Sequence, residues 1–146
     1  MSYTNLLYHI VYATKGRAPL ITLDLKSRLH GYLGGIVGGL GGVPIEINGM
    51  SEHVHLLVRL RPIISVSEFL SKLKSGSSIW AKKQTQGRFA WQAKYGAFTV
   101  SESQVGKVRK YIRDQEKHHR TMSFEEEFEA LLKANQCEFD EQYLWT

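Results

Sequence analysis

Two short β-type runs, Val43–Ile47 and Val54–Leu60, stand around Asn48-Gly49-Met50-Ser51, whose residue types carry turn chemistry, and together they make a hairpin in the middle of the chain. The rest of the sequence is arranged about that hairpin. On its N-terminal side, residues 3–13 combine Tyr, Leu, Ile and Val and suit a first strand, broken by Lys15-Gly16-Arg17-Ala18-Pro19. Thr22 then fits an N-cap for a helix with Leu23, Leu25 and Leu33 at helical spacing. The following GGIVGGLGG carries glycines that each weaken a helix by about 1 kcal/mol, so its end is expected to fray or to pack closely. On the other side, Ser65-Val66-Ser67-Glu68 has capping-box spacing and opens a helix with Phe69, Leu70, Leu73, Ile79 and Trp80 on one side and Lys72, Lys74, Lys82 and Lys83 elsewhere. Gly96–Val100 reads as a fourth strand. Ser101-Glu102-Ser103-Gln104 reads as a second capping box, opening a helix with Val105, Val108 and Ile112. Ser123-Phe124-Glu125-Glu126 opens a last helix, which presents Phe128, Leu131 and Leu132 to a partner surface. The order is β-α-β-β-α-β-α-α. Its first six elements predict an α+β, ferredoxin-like split βαβ: an antiparallel four-stranded sheet with helices on one face, plus C-terminal helices.

Charge is distributed unevenly along this pattern. Residues 1–113 hold 16 Lys/Arg against 5 Asp/Glu, a balance of +11, whereas residues 114–146 hold 3 against 9, a balance of −6. A basic body fits a polyanionic partner, because Lys and Arg displace the counterions of paired phosphates; a solvated surface fits the same numbers. At 146 residues the chain is expected to form a single domain, 1–146, with an acidic helical tail from about residue 121. No run reaches the roughly 20 apolar residues of a membrane helix, so no membrane partner is expected. Cys137 is the only cysteine, which excludes an intrachain disulfide and a cysteine zinc site, and the cytoplasm is the expected compartment.

The candidate chemistry begins with Glu52-His53-Val54-His55-Leu56-Leu57-Val58. Side chains alternate along a strand, so His53 and His55 share one face while Val54, Leu56 and Val58 take the other. Two imidazoles so placed can reach one divalent ion; they are equally compatible with ordinary strand histidines. In Tyr111-Ile112-Arg113-Asp114-Gln115, the tyrosine and glutamine are i and i+4 on a helix, beside the Val105-Val108-Ile112 stripe. Taken alone they suit a half-buried aromatic and a solvated helix former. Combined with the histidines they suit phosphodiester chemistry: a tyrosine attacking DNA needs the phosphate charge neutralised and its leaving oxygen stabilised, which one divalent ion does. No Ser-His-Asp or Cys-His arrangement competes, and no glycine-rich phosphate loop ends in Gly-Lys-Ser/Thr.

The strand EHVHLLV, the stretch from Trp91 to Ser101, and the helix with Tyr111, Gln115 and His118-His119 together resemble the single-tyrosine HUH transposases of the IS-two-hundred-like insertion sequences. TKGRAPLI and the closing FEEEFEALLKANQCEFDEQYLW extend the resemblance over nearly the whole chain. It implies that His53, His55 and Gln115 hold a divalent metal ion, Mg²⁺ or Mn²⁺, and that Tyr111 is the nucleophile. It further implies that single-stranded DNA with hairpin ends is cut and rejoined through a 5′-phosphotyrosine link with no nucleotide cofactor, that the protein works as a homodimer, and that it joins the nucleoid when bound to DNA. Lys15, Arg17, Lys74, Arg88 and Lys94 suit backbone phosphates, and Trp80, Trp91 and Tyr95 suit stacking on unpaired bases or burial in the core. His118 and His119 fit a solvated helix end or an approach to the site. Two other functions share these features: a replication or mobilisation nickase of the same chemistry, and a non-catalytic ferredoxin-like regulator that binds nucleic acid.

Overall fold

A computed structural model describes residues 2–146. β1 (Leu6–Ala13) lies between β3 (His53–Leu60) and β4 (Gly96–Val100), antiparallel to both, and β2 (Val43–Gly49) flanks β3, giving the order β2-β3-β1-β4. This is the expected split βαβ sheet. Register decides which side chains meet. Ile10 stands opposite Leu56 and Tyr12 opposite Val54 on one face, whereas Val11 stands opposite His55 and Ala13 opposite His53 on the other.

The first face is covered by α1 (Leu23–Gly39) and α2 (Val66–Gln84). Thr22 caps α1, its hydroxyl accepting the Leu25 N–H at 3.3 Å, and Ser65 caps α2 by accepting from Glu68 N–H at 3.1 Å. Leu25, Leu29, Leu33 and Val37 recur every fourth residue and are buried against Ile10, Tyr12, Val54, Leu56, Phe69 and Leu73. That stripe accounts for the glycine run, which stays helical through Gly39 instead of fraying. Each buried Leu or Val contributes about 1.5–3 kcal/mol, against about 1 kcal/mol lost per helical glycine. Of these glycines Gly34 faces the Pro44 and Ile47 side chains of β2 at ordinary contact distance, and Gly35, Gly38 and Gly39 face open space.

The second face carries α3 (Val105–Arg113), the short α4 (Gln115–His118) and α5 (Phe124–Ala134). Two local expectations change here. Ser101 forms no cap to the backbone; it bonds Ser103 Oγ at 3.1 Å, and a single 3₁₀ turn, Glu102–Gln104, precedes α3. The helix expected to run unbroken through Tyr111 and Gln115 is interrupted at Asp114 (φ −90°, ψ 22°). Asn48, expected in the hairpin turn, belongs to β2, and its Nδ2 donates to the carbonyls of Ile112 (2.9 Å) and Arg113 (3.1 Å). The sheet itself thereby satisfies the otherwise unpaired end of α3. The turn after it requires glycine at 49, where a Cβ would lie 2.2 Å from the His53 carbonyl oxygen.

α5 opens where expected, and Ser123 and Glu126 form a complete capping box there. Phe124, Phe128 and Leu132 pack onto Val11, Ala13 and Phe98 of the chain's own sheet, and Arg17 reaches across to Glu125 at 2.8 Å. Among the described residues no helix is long and apolar enough to cross a membrane.

Candidate metal and nucleophile site

His53 and His55 project from β3 into the space between the sheet and α5, both fully buried. The interruption at Asp114 turns Gln115 inward, so that its Oε1 lies 2.9 Å from His53 Nε2. From the opposite side comes Glu127 of α5, 1% exposed. Its Oε1 is 3.3 Å from His53 Nε2, 3.1 Å from His55 Nε2 and 3.0 Å from His119 Nε2. Its Oε2 accepts from the Tyr111 hydroxyl and, at 3.0 Å, from Gln115 Nε2. One carboxylate is therefore the meeting point of two strand histidines, the loop histidine after α4, the amide and the phenol.

The rings are held from behind. His53 Nδ1 is 2.6 Å from Glu52 Oε1, His55 Nδ1 is 2.9 Å from His9 Nε2, and His119 Nδ1 is 2.8 Å from the Met122 carbonyl. Phe124 stacks on His53 with centroids 4.2 Å apart, and His118 stacks on Tyr111 at 4.6 Å. Backing of this kind fixes which nitrogen points at an ion and raises its basicity.

Protonation follows from these contacts. Burial alone would lower the His53 pKa, but its hydrogen bonds to Glu127 and Glu52 raise it to about 9, so both of its nitrogens carry protons toward acceptors. His55 goes the other way: burial outweighs the attraction of Glu127 and lowers it to about 4, leaving a neutral ring. Burial, with the nearby His55, also lowers His9 to about 3. For Glu127 burial opposes ionisation, yet the hydrogen bonds from His53 and His55 hold its carboxyl far below the ordinary carboxylate range. Burial, then Glu127, push the Tyr111 phenol above its ordinary range. In this state the cluster is a buried carboxylate balanced by an imidazolium. His53, His119 and Glu127 offer ligand atoms that all lie within 4.8 Å of one another, a set that suits a divalent cation, with Gln115 Oε1 2.9 Å from His53 Nε2 and His55 Nε2 3.1 Å from Glu127 Oε1 at its edge.

Of the residues singled out in the sequence, His53, His55, Tyr111 and Gln115 are brought together. The proposed phosphate contacts are dispersed. Lys15 and Arg88 are exposed, Arg17 is paired with Glu125 and stacked over Trp145, Lys74 donates to the Gln92 and Ala93 carbonyls, and Lys94 donates to the Tyr143 carbonyl. Trp91 is packed edge-on against Tyr12 and Phe89 and donates to Ser77 Oγ, so it belongs to the core. Trp80 stacks on Tyr32, and Tyr95 is exposed. Sequence reasoning missed Glu127, His9 and the backing role of Glu52; of the two places it left open for His118 and His119, a solvated helix end or an approach to the site, His119 takes the second, its Nε2 3.0 Å from Glu127 Oε1. A signal for Glu127 exists: it lies three residues after Phe124 and four before Leu131, inside the apolar stripe of α5.

Comparison with known proteins places the chain. The family described as "Transposase IS200 like" matches residues 2–115. The ISDra2 transposase TnpA of Deinococcus radiodurans is 28% identical over 118 residues, covering 76% of this chain and 84% of that protein. The transposase for insertion sequence element IS200 of Salmonella typhimurium is 27% identical over 118 residues, with 76% and 77% covered. Among solved structures, a Deinococcus radiodurans R1 protein assigned as a transposase superposes with a TM-score of 0.65 at 26% identity, covering 78% of this chain and 93% of that one. A REP-associated tyrosine transposase bound to a REP hairpin has a TM-score of 0.62 at 13% identity, a likeness of fold, over 82% of this chain and 72% of that one. The sheet order and the buried histidine pair thus stand in a transposase scaffold. The chain belongs to the IS200-like transposase family.

Proposed function

We propose that this transposase cleaves and rejoins single-stranded DNA through a 5′-phosphotyrosine link formed by Tyr111, with a divalent ion, Mg²⁺ or Mn²⁺, held by His53, His55 and Gln115. The observation that carries the reading is the gathering of the Tyr111 hydroxyl, both strand imidazoles and the Gln115 amide around the buried Glu127 carboxylate. Bound there, the ion would neutralise phosphate charge and stabilise a leaving 3′-oxygen.

The chain's own residues have separable tasks. His53 and His55 present Nε2 because Glu52 and His9 occupy their other nitrogens. Gln115 offers Oε1 because its Nε2 is committed to Glu127. Tyr111 attacks phosphorus: the Oη–P bond forms, the P–O3′ bond breaks, the phenolic proton passes to the acceptor already hydrogen-bonded to it, and the 3′-oxygen is protonated to a hydroxyl. Rejoining is the reverse, a 3′-hydroxyl displacing Tyr111. A cleft of about 490 Å³ beside the phenol, bounded by His9, Phe98, Gln104, Lys107 and Tyr111, is a route by which a strand reaches it. Lys15 and Arg88 are free for backbone phosphates, while Arg17, Lys74 and Lys94 would first release their internal partners. The domain 1–146 acts as a homodimer on DNA with hairpin ends, which light scattering of the free and hairpin-bound protein tests.

Incubating the protein with Mn²⁺ and a single-stranded hairpin oligonucleotide is expected to give a covalent adduct visible on a denaturing gel. Tyr111→Phe should give none. An adduct formed by that variant would remove Tyr111 as the nucleophile.

A further inference from the structure

Glu127 and His119 lie outside the stretch matched by the family, residues 2–115, yet their side chains stand inside the cluster. Three features of Glu127 need a common cause. It is an acidic side chain on the apolar stripe of α5, flanked by the buried Phe124 and Phe128, where a leucine would pack at no electrostatic cost. Its Oε1 makes close approaches only to groups able to ligate, the Nε2 atoms of His53, His55 and His119. Its Oε2 makes different ones, to the Tyr111 hydroxyl and Gln115 Nε2.

We propose that α5 completes the metal centre: Glu127 ligates the ion through Oε1 while its Oε2 positions the Tyr111 hydroxyl, and His119 adds a further imidazole ligand. This rests on the reading that His53, His55 and Gln115 hold a divalent ion. Distance supports it. Neighbouring ligands of a six-coordinate ion with bonds of about 2.1 Å sit about 3 Å apart. The separations here are 2.9 Å from His53 Nε2 to Gln115 Oε1 and 3.0–3.3 Å from Glu127 Oε1 to the three imidazoles. Charge supports it as well. His53, His55 and Gln115 are neutral ligands, each fully buried, and a divalent cation among neutral groups in a buried site is left without a counter-charge; the Glu127 carboxylate supplies one inside the same cavity. His119 is prepared in the manner of a ligand, its Nδ1 fixed on the Met122 carbonyl and its Nε2 turned to the cluster.

The test is Mn²⁺ binding by calorimetry, without DNA, on the full chain and on Glu127→Gln, His119→Ala and His55→Ala. Glu127→Gln keeps size and hydrogen bonding but removes the charge, and is expected to weaken Mn²⁺ binding at least about tenfold; His119→Ala should do the same. His55→Ala should weaken it further. Equal or tighter binding by Glu127→Gln overturns the proposal and leaves the His53/His55/Gln115 reading standing, whereas failure of the unmodified chain to take up Mn²⁺ overturns both. A second measurement needs no variant: amide hydrogen exchange of the unmodified chain with and without Mn²⁺. Added protection across α5 is expected; protection of β3 with unchanged or faster exchange in α5 would mean that the ion displaces the carboxylate, and would sink the proposal.

Discussion

The two faces of the sheet are built from alternate residues of the same strands and solve opposite problems. On the α1/α2 face, Ile10, Tyr12, Val54, Leu56 and Val58 meet leucines and phenylalanines, and shape alone has to be satisfied. On the α3–α5 face, His9, His53 and His55 meet Tyr111, Gln115, His119 and Glu127, and every buried polar group needs a partner of the right donor or acceptor type. The first face tolerates any apolar set of suitable volume; the second has almost no interchangeable member. The larger apolar core therefore lies on one side of the sheet and the chemistry on the other, one residue apart along β3.

Substituting one residue on each face breaks or sharpens that comparison most strongly. His55→Ala should lower DNA cleavage by at least about 100-fold while the protein remains folded. Leu29→Ala, fully buried in α1, should cost about 2–5 kcal/mol of unfolding free energy, read by urea denaturation, and leave the Mn²⁺ affinity of the folded protein unchanged. A Leu29 variant that lost metal affinity in proportion to its stability would show that the faces are not separable.

The same contrast explains what could be read in the sequence. Periodicity reports burial, so the four strands, the α1 stripe and the shared face of His53 and His55 were all legible, because each depends on neighbours within a few positions. Tyr111 and Gln115 were legible as a pair, although the chain achieves their meeting by breaking the helix at Asp114 rather than by continuing it. Glu127 was not: it sits in a run of three glutamates, of which Glu125 pairs with Arg17 and Glu126 closes the capping box, and only the docking of α5 on the sheet shows that the third turns inward. His9 was hidden for a related reason, since its role depends on the β1–β3 register that places its ring against His55. The inward side of the acidic tail's helix forms a wall of the site.

pH separates the faces by a smaller effect. In metal-free protein the His53 pKa is raised to about 9, above its unfolded value near 6.5, so its ion-paired form stabilises the fold fully below about pH 6.5, and that contribution is lost as pH rises through about 9. Chelated protein should therefore melt at progressively lower temperature between pH 7 and 9.5. With saturating Mn²⁺ the fall should vanish, because a coordinated His53 keeps only the Nδ1 proton that faces Glu52. A flat melting profile in the chelated protein would remove the buried ion pair from the account.

The smallest expected effect compares two helix caps. Ser65→Ala on α2 and Ser123→Ala on α5 each remove a hydroxyl that accepts a backbone N–H at 3.1 Å, and each should cost about 1 kcal/mol. Thermal melting would record nearly equal losses. Metal titration should not: α2 touches only the apolar face, so Ser65→Ala leaves Mn²⁺ affinity unchanged, whereas loosening the first turn of α5 displaces Glu127 one turn further on and should weaken it severalfold. Equal affinities in the two variants would mean that α5 is held in place by Phe124, Phe128 and Leu132 strongly enough that its cap adds stability without steering the carboxylate.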